Sequence, residues 1–394
     1  MRTLYKYIPL LVAALSIVAC VEPFEPELPA SETSVLVVEG SIIDGQKNSF
    51  LLTRSVGLND SINRRSYDYI SYANVRIVGS DGEEWIAQPQ GSGLYVVADS
   101  VALQDNVSYS LVIDYDGNTY CSDPALPQPT PSIDKLEFGL SEGKDQVQVY
   151  ITSQLSSDSD ISYYAWTFEE CWEINTPFHE CFEYFPMNNS VSTVSQDLSH
   201  GFCMDTPIPV IGSNESFGDS ILANYMLYSY SNLSNRFNTQ YGVRVTQRAI
   251  SKAEYEYERL LQRQSYEMGG LFTPQPSAFP TNIHCTTDPS LRAIGYVGVS
   301  AGVTRKELYI SKSDVGYTLQ KKIEEKTQEQ IEEEHLSYYS LYRLGFRVYE
   351  YEWFPLQLPP RWCKRWCVDC RDPYWNAVYD TPPSWWQPYG EYYF

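Results

Sequence analysis

Between residues 34 and 123 one pattern recurs: a short β-branched or aromatic run, a few turn residues, then another run. The runs read VLVVEGSII, NSFLLTRSV, NVRIVGS, LYVVADS and SYSLVID. Stretches of this length and composition suit a pleated, half-buried surface and are too short for buried helices. Asp81-Gly82 and the turn Asp114-Tyr115-Asp116-Gly117-Asn118 join neighbouring runs. Gly and Asn accept the positive φ that tight hairpins require. The acidic turn lacks the ligand spacing and the closing Glu of a calcium loop. The spacing predicts a mainly β protein that starts with an immunoglobulin- or fibronectin-like sandwich over 34–125.

The segment LPQPTPSID, 126–134, reads as a linker, and 135–394 as a second β-rich domain. A chain this long exceeds one ordinary core, so two packed units are expected. The second unit carries the runs QVQVYITSQL, ISYYAWTFEECWEI, ANYMLYSYSNLS and YGVRVTQRAI, and later IGYVGVS. Among them lies one capped helix, predicted over 251–268. Ser251 and Glu254 form a capping box, Tyr257, Leu260, Leu261 and Met268 fall on one face, and Gly269-Gly270 stops it. Pro274-Gln275-Pro276 must then be extended. A second, charged helix is predicted over about 317–336, and 172–220 reads as a long irregular region.

Residues 1–19 read as a targeting segment. Arg2 and Lys6 precede the apolar run IPLLVAALSIVA, which is too short to span a bilayer. Ile17-Val18-Ala19-Cys20 fits a bacterial lipobox, which makes Cys20 the acylated N-terminus and a lipid anchor. Residues 20–33 form a tether, extended by Pro23, Pro26 and Pro29 and solvated by Glu22, Glu25 and Glu27. The net charge of −22 becomes −24 once Arg2 and Lys6 are removed, which disfavours nucleic acid as a partner.

Nine cysteines less Cys20 leave Cys121, Cys171, Cys181, Cys203, Cys285, Cys363, Cys367 and Cys370, which an oxidising compartment would pair as disulfides of open connectivity. The run at 363–370 could instead hold zinc. Trp362, Trp366, Trp375, Trp385 and Trp386 crowd the C-terminal segment. They either wrap the second domain or form a recognition surface for a peptide, a glycan or a receptor. No H-E-x-x-H, G-x-S-x-G or phosphate loop occurs, and His284 beside Cys285 is no nucleophilic pair if the thiol is bridged. No catalytic residue, metal or cofactor is therefore expected, and the chain reads as a binding protein and not an enzyme.

Several stretches are similar to a family of Bacteroidota lipoproteins of unknown function. They are Tyr255 and Tyr257 at the helix start, Gly270 to Ser277, Gly295 to Ser300, and Cys367 to Arg371. Genes of that family commonly lie beside SusC-like TonB-dependent outer-membrane receptors. The resemblance implies an outer-membrane lipoprotein facing the cell exterior, serving such a receptor as an accessory or ligand-capture subunit. The alternatives are a receptor-independent carbohydrate- or peptide-binding adhesin and, further off, a secreted hydrolase. Ser61, Ser100 and Ser220 lie in Asp-Ser-apolar triplets that resemble O-glycosylation sites of exported Bacteroidota proteins.

Overall fold

A computed structural model describes residues 35–388 except 56–67, 155–161, 180–181, 194–196, 216–220, 268–279 and 352–358. The protein is mainly β, as expected, with its strands divided among several sheets.

The first unit is one hydrogen-bonded path. Its strands run in the order Ile283–Cys285, Asn118–Ser122, Tyr109–Tyr115, Asn74–Gly79, Glu84–Gly91, Leu94–Val97, Ser49–Arg54, Leu36–Gly40 and Ala293–Gly295. Neighbours are antiparallel except at the last step, where Val37 lies opposite Ile294 in a parallel pair. Both ends of the path flank one short connection, so the sheet curls around a single core. Phe50, Leu52, Ile77, Tyr95 and Tyr109 fill that core together with Ile283, Val297 and Val299.

This corrects the expected domain boundaries. Residues 281–300, assigned above to the second domain, complete the first one. A strand's partner is set by register with distant chain, which local pattern does not encode. Residues 126–134 are likewise no free linker. Gln128 N–H donates to Val299 at 3.0 Å and its carbonyl accepts from Ala301 at 2.9 Å. Further along, the Thr130 hydroxyl donates to the Gly302 carbonyl, and the Pro131 carbonyl accepts from Gln247 and Thr304.

The second unit packs two sheets face to face. Ile133–Leu140, Gln146–Gln154 and Ile221–Ser231 form an antiparallel three-stranded sheet. Opposite it, His200–Asp205, Tyr163–Asn175, Gln240–Ile250 and Thr304–Ser311 are paired in that order. Alternate residues point inward, so Val147, Val149 and Ile151 meet Tyr164, Trp166 and Phe168 and Val243 and Val245.

The central helix, Lys252–Glu267, joins the two units. Ser251 accepts from the Glu254 N–H at 3.1 Å, which is half of the expected capping box. The Glu254 carboxylate turns instead to Arg248 at 2.8 Å, and it packs on Gly298, where a Cβ would lie 2.0 Å away. Tyr257 stacks near Tyr296 of the first unit and Tyr255 near Tyr163 of the second. The stop signal Gly269-Gly270 and the Pro274-Gln275-Pro276 stretch lie outside the described residues.

The charged helix expected over 317–336 is not one element. It divides into extended chain, the two-residue strand Glu325–Lys326 and the helix Gln328–Glu333, followed by a separate helix Tyr338–Arg343. Thr327 and Ser337 each cap a new start, and His335 between them adopts a positive φ of 51°. These helices, the sheet of Glu325–Lys326, Arg361–Lys364 and Phe346–Glu350, and the hairpin Phe182–Phe185/Ser190–Thr193 make a small lobe. Tyr184, Ile331, Leu341, Phe346 and Trp362 form its core.

Candidate functional site

The C-terminal tryptophans are packing groups. Trp362, Trp366, Trp375 and Trp386 are buried, and only Trp385 keeps partial exposure. Trp386 lies flat on Gly242, where any Cβ would be 2.8 Å from the ring, with Phe202 and Tyr309 at its edges. Trp385 sits beside Tyr309 under the Arg244 guanidinium. The tail thus covers the outer face of the sheet, which explains why Gln240–Ile250 is buried on both sides. The recognition surface allowed for these five rings is corrected to a wrap.

Cys121, Cys171, Cys203, Cys285, Cys367 and Cys370 are free thiols, and Cys181 lies outside the described residues. Register explains two of the failures to pair. Cys121 lies opposite His284 while Cys285 lies opposite Tyr120, so the two sulfurs point to opposite faces of the sheet. Cys171 lies opposite Met204 and Cys203 opposite Trp172, with the same result. It also separates His284 from Cys285, which cannot act together. Cys203, Cys363, Cys367 and Cys370 share one apolar cluster with Trp366 and Trp375. Burial pushes the Cys171 and Cys203 thiols up to about 12 and Cys370 to about 11. Cys367 is lowered, by a hydrogen bond from Cys363. Among the described residues no group of three or more His, Cys, Asp or Glu side chains could hold a metal. Ser100 is exposed; Cys20, Ser61 and Ser220 lie outside the described residues.

Two buried charge clusters stand out, neither visible in the sequence. Glu170 is inside the second core, accepting from Tyr241, from Tyr230 at 2.9 Å and from Arg236 at 3.1 Å. Arg236 is held between the Trp172 and Tyr230 rings and also reaches Asp205 at 2.8 Å. Burial holds the Glu170 carboxyl above its usual range although these donors oppose it. Asp369 is the reverse case: burial would raise it, but Arg371 and Arg365 keep it low. Every described charge in these clusters meets a partner inside the protein, as a structural ion network requires.

A concavity of about 930 Å³ lies at one end of the five-stranded sheet. Three strands meet there: Tyr163–Asn175 ends, Gln240–Ile250 begins and Thr304–Ser311 ends. Asn175, Thr239, Ser311 and Ser313 line it with amide and hydroxyl groups, and Pro177, Tyr317, Leu319 and Trp375 supply apolar floor. Its rim is braced. Asn175 N–H donates to Asn238 Oδ1 at 2.8 Å, Asn175 Nδ2 to Thr239 Oγ1 at 3.1 Å, and Lys312 N–H to the Thr239 carbonyl at 2.9 Å.

The small lobe exposes four large apolar side chains. Met187 is fully exposed at the hairpin tip, with Phe185 next to it on the strand, and Tyr339 and Leu344 protrude from the helix and its end. Among the described residues no helix is long and apolar enough to cross a membrane.

No curated protein of known function matches the chain. A family model matches residues 21–306, which span the curled first sheet, the joining helix and most of the second sandwich. The chain belongs to the family described as Domain of unknown function (DUF4249).

Proposed function

We propose that the protein is a lipid-anchored accessory subunit of a SusC-like TonB-dependent receptor at the outer membrane, facing the exterior and serving in ligand capture. The anchor is Cys20 behind its lipobox-type leader, and the resemblance described above supplies the receptor class. One observation carries the docking role: the lobe built on Tyr184 and Trp362 displays Met187, Phe185, Tyr339 and Leu344 to solvent. Large exposed apolar groups on a packed scaffold are what a protein interface needs, because their burial on contact is favourable. The internal pairing of the buried charges speaks for a binding scaffold and against acid–base chemistry at those positions.

The test is gentle detergent extraction of the tagged full chain from its native host, followed by identification of co-purifying membrane proteins. A TonB-dependent barrel should co-purify with the wild type. Met187→Glu combined with Phe185→Ser should keep the melting temperature and lose the barrel. A wild type that brings down no barrel overturns the receptor reading, and a variant that still brings it down overturns the docking lobe.

A further inference from the structure

The braced concavity at the sheet end has a chemistry of its own. We infer that it binds a neutral saccharide, through the side chains of Asn175, Thr239, Lys312 and Ser313. This names the ligand of the capture subunit and rests on that part of the reading above.

The argument starts from hydrogen-bond capacity. A sugar hydroxyl both donates and accepts, so it is matched by hydroxyl and amide groups, which do both, better than by charged groups, which do one. The rim is made of such groups, and their internal bonds fix how they face the cavity. Ser311 donates its hydroxyl hydrogen to Asp314 at 2.7 Å, so the 2.8 Å contact with Ser313 must be a bond from Ser313 to Ser311. Ser313 is left with acceptor capacity. Asn175 commits its Nδ2 to Thr239 at 3.1 Å, and no described bond uses its Oδ1. Thr239 donates to Asn238 at 2.9 Å and keeps a lone pair. Acceptors therefore gather on one wall.

Lys312 supplies the complementary donors. Its ammonium lies over the Tyr317 ring at 5.5 Å, and among the described residues it forms no ion pair. Three N–H groups are thus available to ring and hydroxyl oxygens. Pro177 and Leu319, over the buried Tyr317 and Trp375, offer apolar surface for the C–H face of a pyranose. A net charge of −22 opposes polyanions, which selects neutral sugars over acidic ones at a pocket with one lysine. The braced rim means that little ordering is needed on binding.

The experiment is isothermal titration calorimetry on the detergent-solubilised full chain, with xylohexaose, maltohexaose and cellohexaose as neutral probes. Hexagalacturonate and a neutral hexapeptide are run beside them. At least one neutral hexasaccharide should bind, and Asn175→Ala and Lys312→Met should each weaken it about tenfold or more with an unchanged melting temperature. The assignment is overturned if no neutral hexasaccharide gives heat at millimolar concentration, if hexagalacturonate or the peptide binds more tightly, or if both variants bind like the wild type. Co-purification of the barrel is measured on the same variants. Lost saccharide binding with an intact receptor complex confirms the pocket's separate role, so failure here leaves the docking lobe to its own test.

Discussion

Glu170 shows what a single residue can demand of its surroundings. A carboxylate within a β-sandwich core is tolerated only while its donors remain, here two tyrosine hydroxyls and the Arg236 guanidinium. Arg236→Met should therefore destabilise the protein by about 3–5 kcal/mol, and adding Glu170→Gln should restore much of it. The pH dependence has a definite sign. A carboxyl raised in the folded state contributes most below its unfolded value and loses that contribution as pH rises through the folded one. The Arg236→Met melting temperature should accordingly climb on acidification from about pH 8 to about pH 5, measured by calorimetry, and a flat profile would contradict the assignment. The cysteines give a second prediction. With their thiols pushed up to about 11 or 12, Cys171, Cys203 and Cys370 should resist iodoacetamide in the folded protein and label fully after unfolding without reductant. Resistance after unfolding would mean that they are bridged. Neither cluster was legible beforehand: in a chain with 50 acidic residues nothing local distinguishes Glu170 from its neighbour Glu169.

Among the elements, those that carry their own start signal were legible and those defined by a partner were not. The helix Lys252–Glu267 was readable because Ser251 caps it and its apolar face is periodic. The stretch 317–336 misled because Thr327 is a cap inside a continuous run of helix formers, and Ser337 caps a separate helix just beyond it. The five tryptophans could be read either way from composition, and the answer came from Gly242, a gap in one strand shaped for one ring of the tail. Trp386→Ala should thus cost about 3–5 kcal/mol. The half-exposed Trp385 should cost less when truncated, and equal losses would show that the wrap is misassigned. Gly298→Ala tests the helix seat. A methyl there meets the Glu254 carboxylate, and overpacking of this kind costs about 1–3 kcal/mol in thermal or denaturant unfolding. The saccharide pocket was hidden from the sequence because its rim comes from three strand ends far apart in the chain.

At the level of the whole molecule, the proline-rich segment 126–134 resembles a place to cut and is not one. A fragment of residues 35–125 lacks both edge strands of its own sheet, so it should give a disordered spectrum by circular dichroism or nuclear magnetic resonance. A fragment of 35–311 should fold its first sheet. A well-dispersed spectrum from 35–125 would refute the discontinuous unit. That discontinuity also sets a clock. A chain that emerges from its N-terminus exposes Leu36–Gly40 and Asn118–Ser122 long before Ala293–Gly295 and Ile283–Cys285 arrive to cover them. At the usual pace of synthesis, the delay between Ser122 and Ile283 is roughly ten to thirty seconds. Unpaired strand edges recruit other chains when left open. The newborn protein is therefore open to other chains for that interval, and its yield in the cell should depend on holdase supply more steeply than its finished stability would imply.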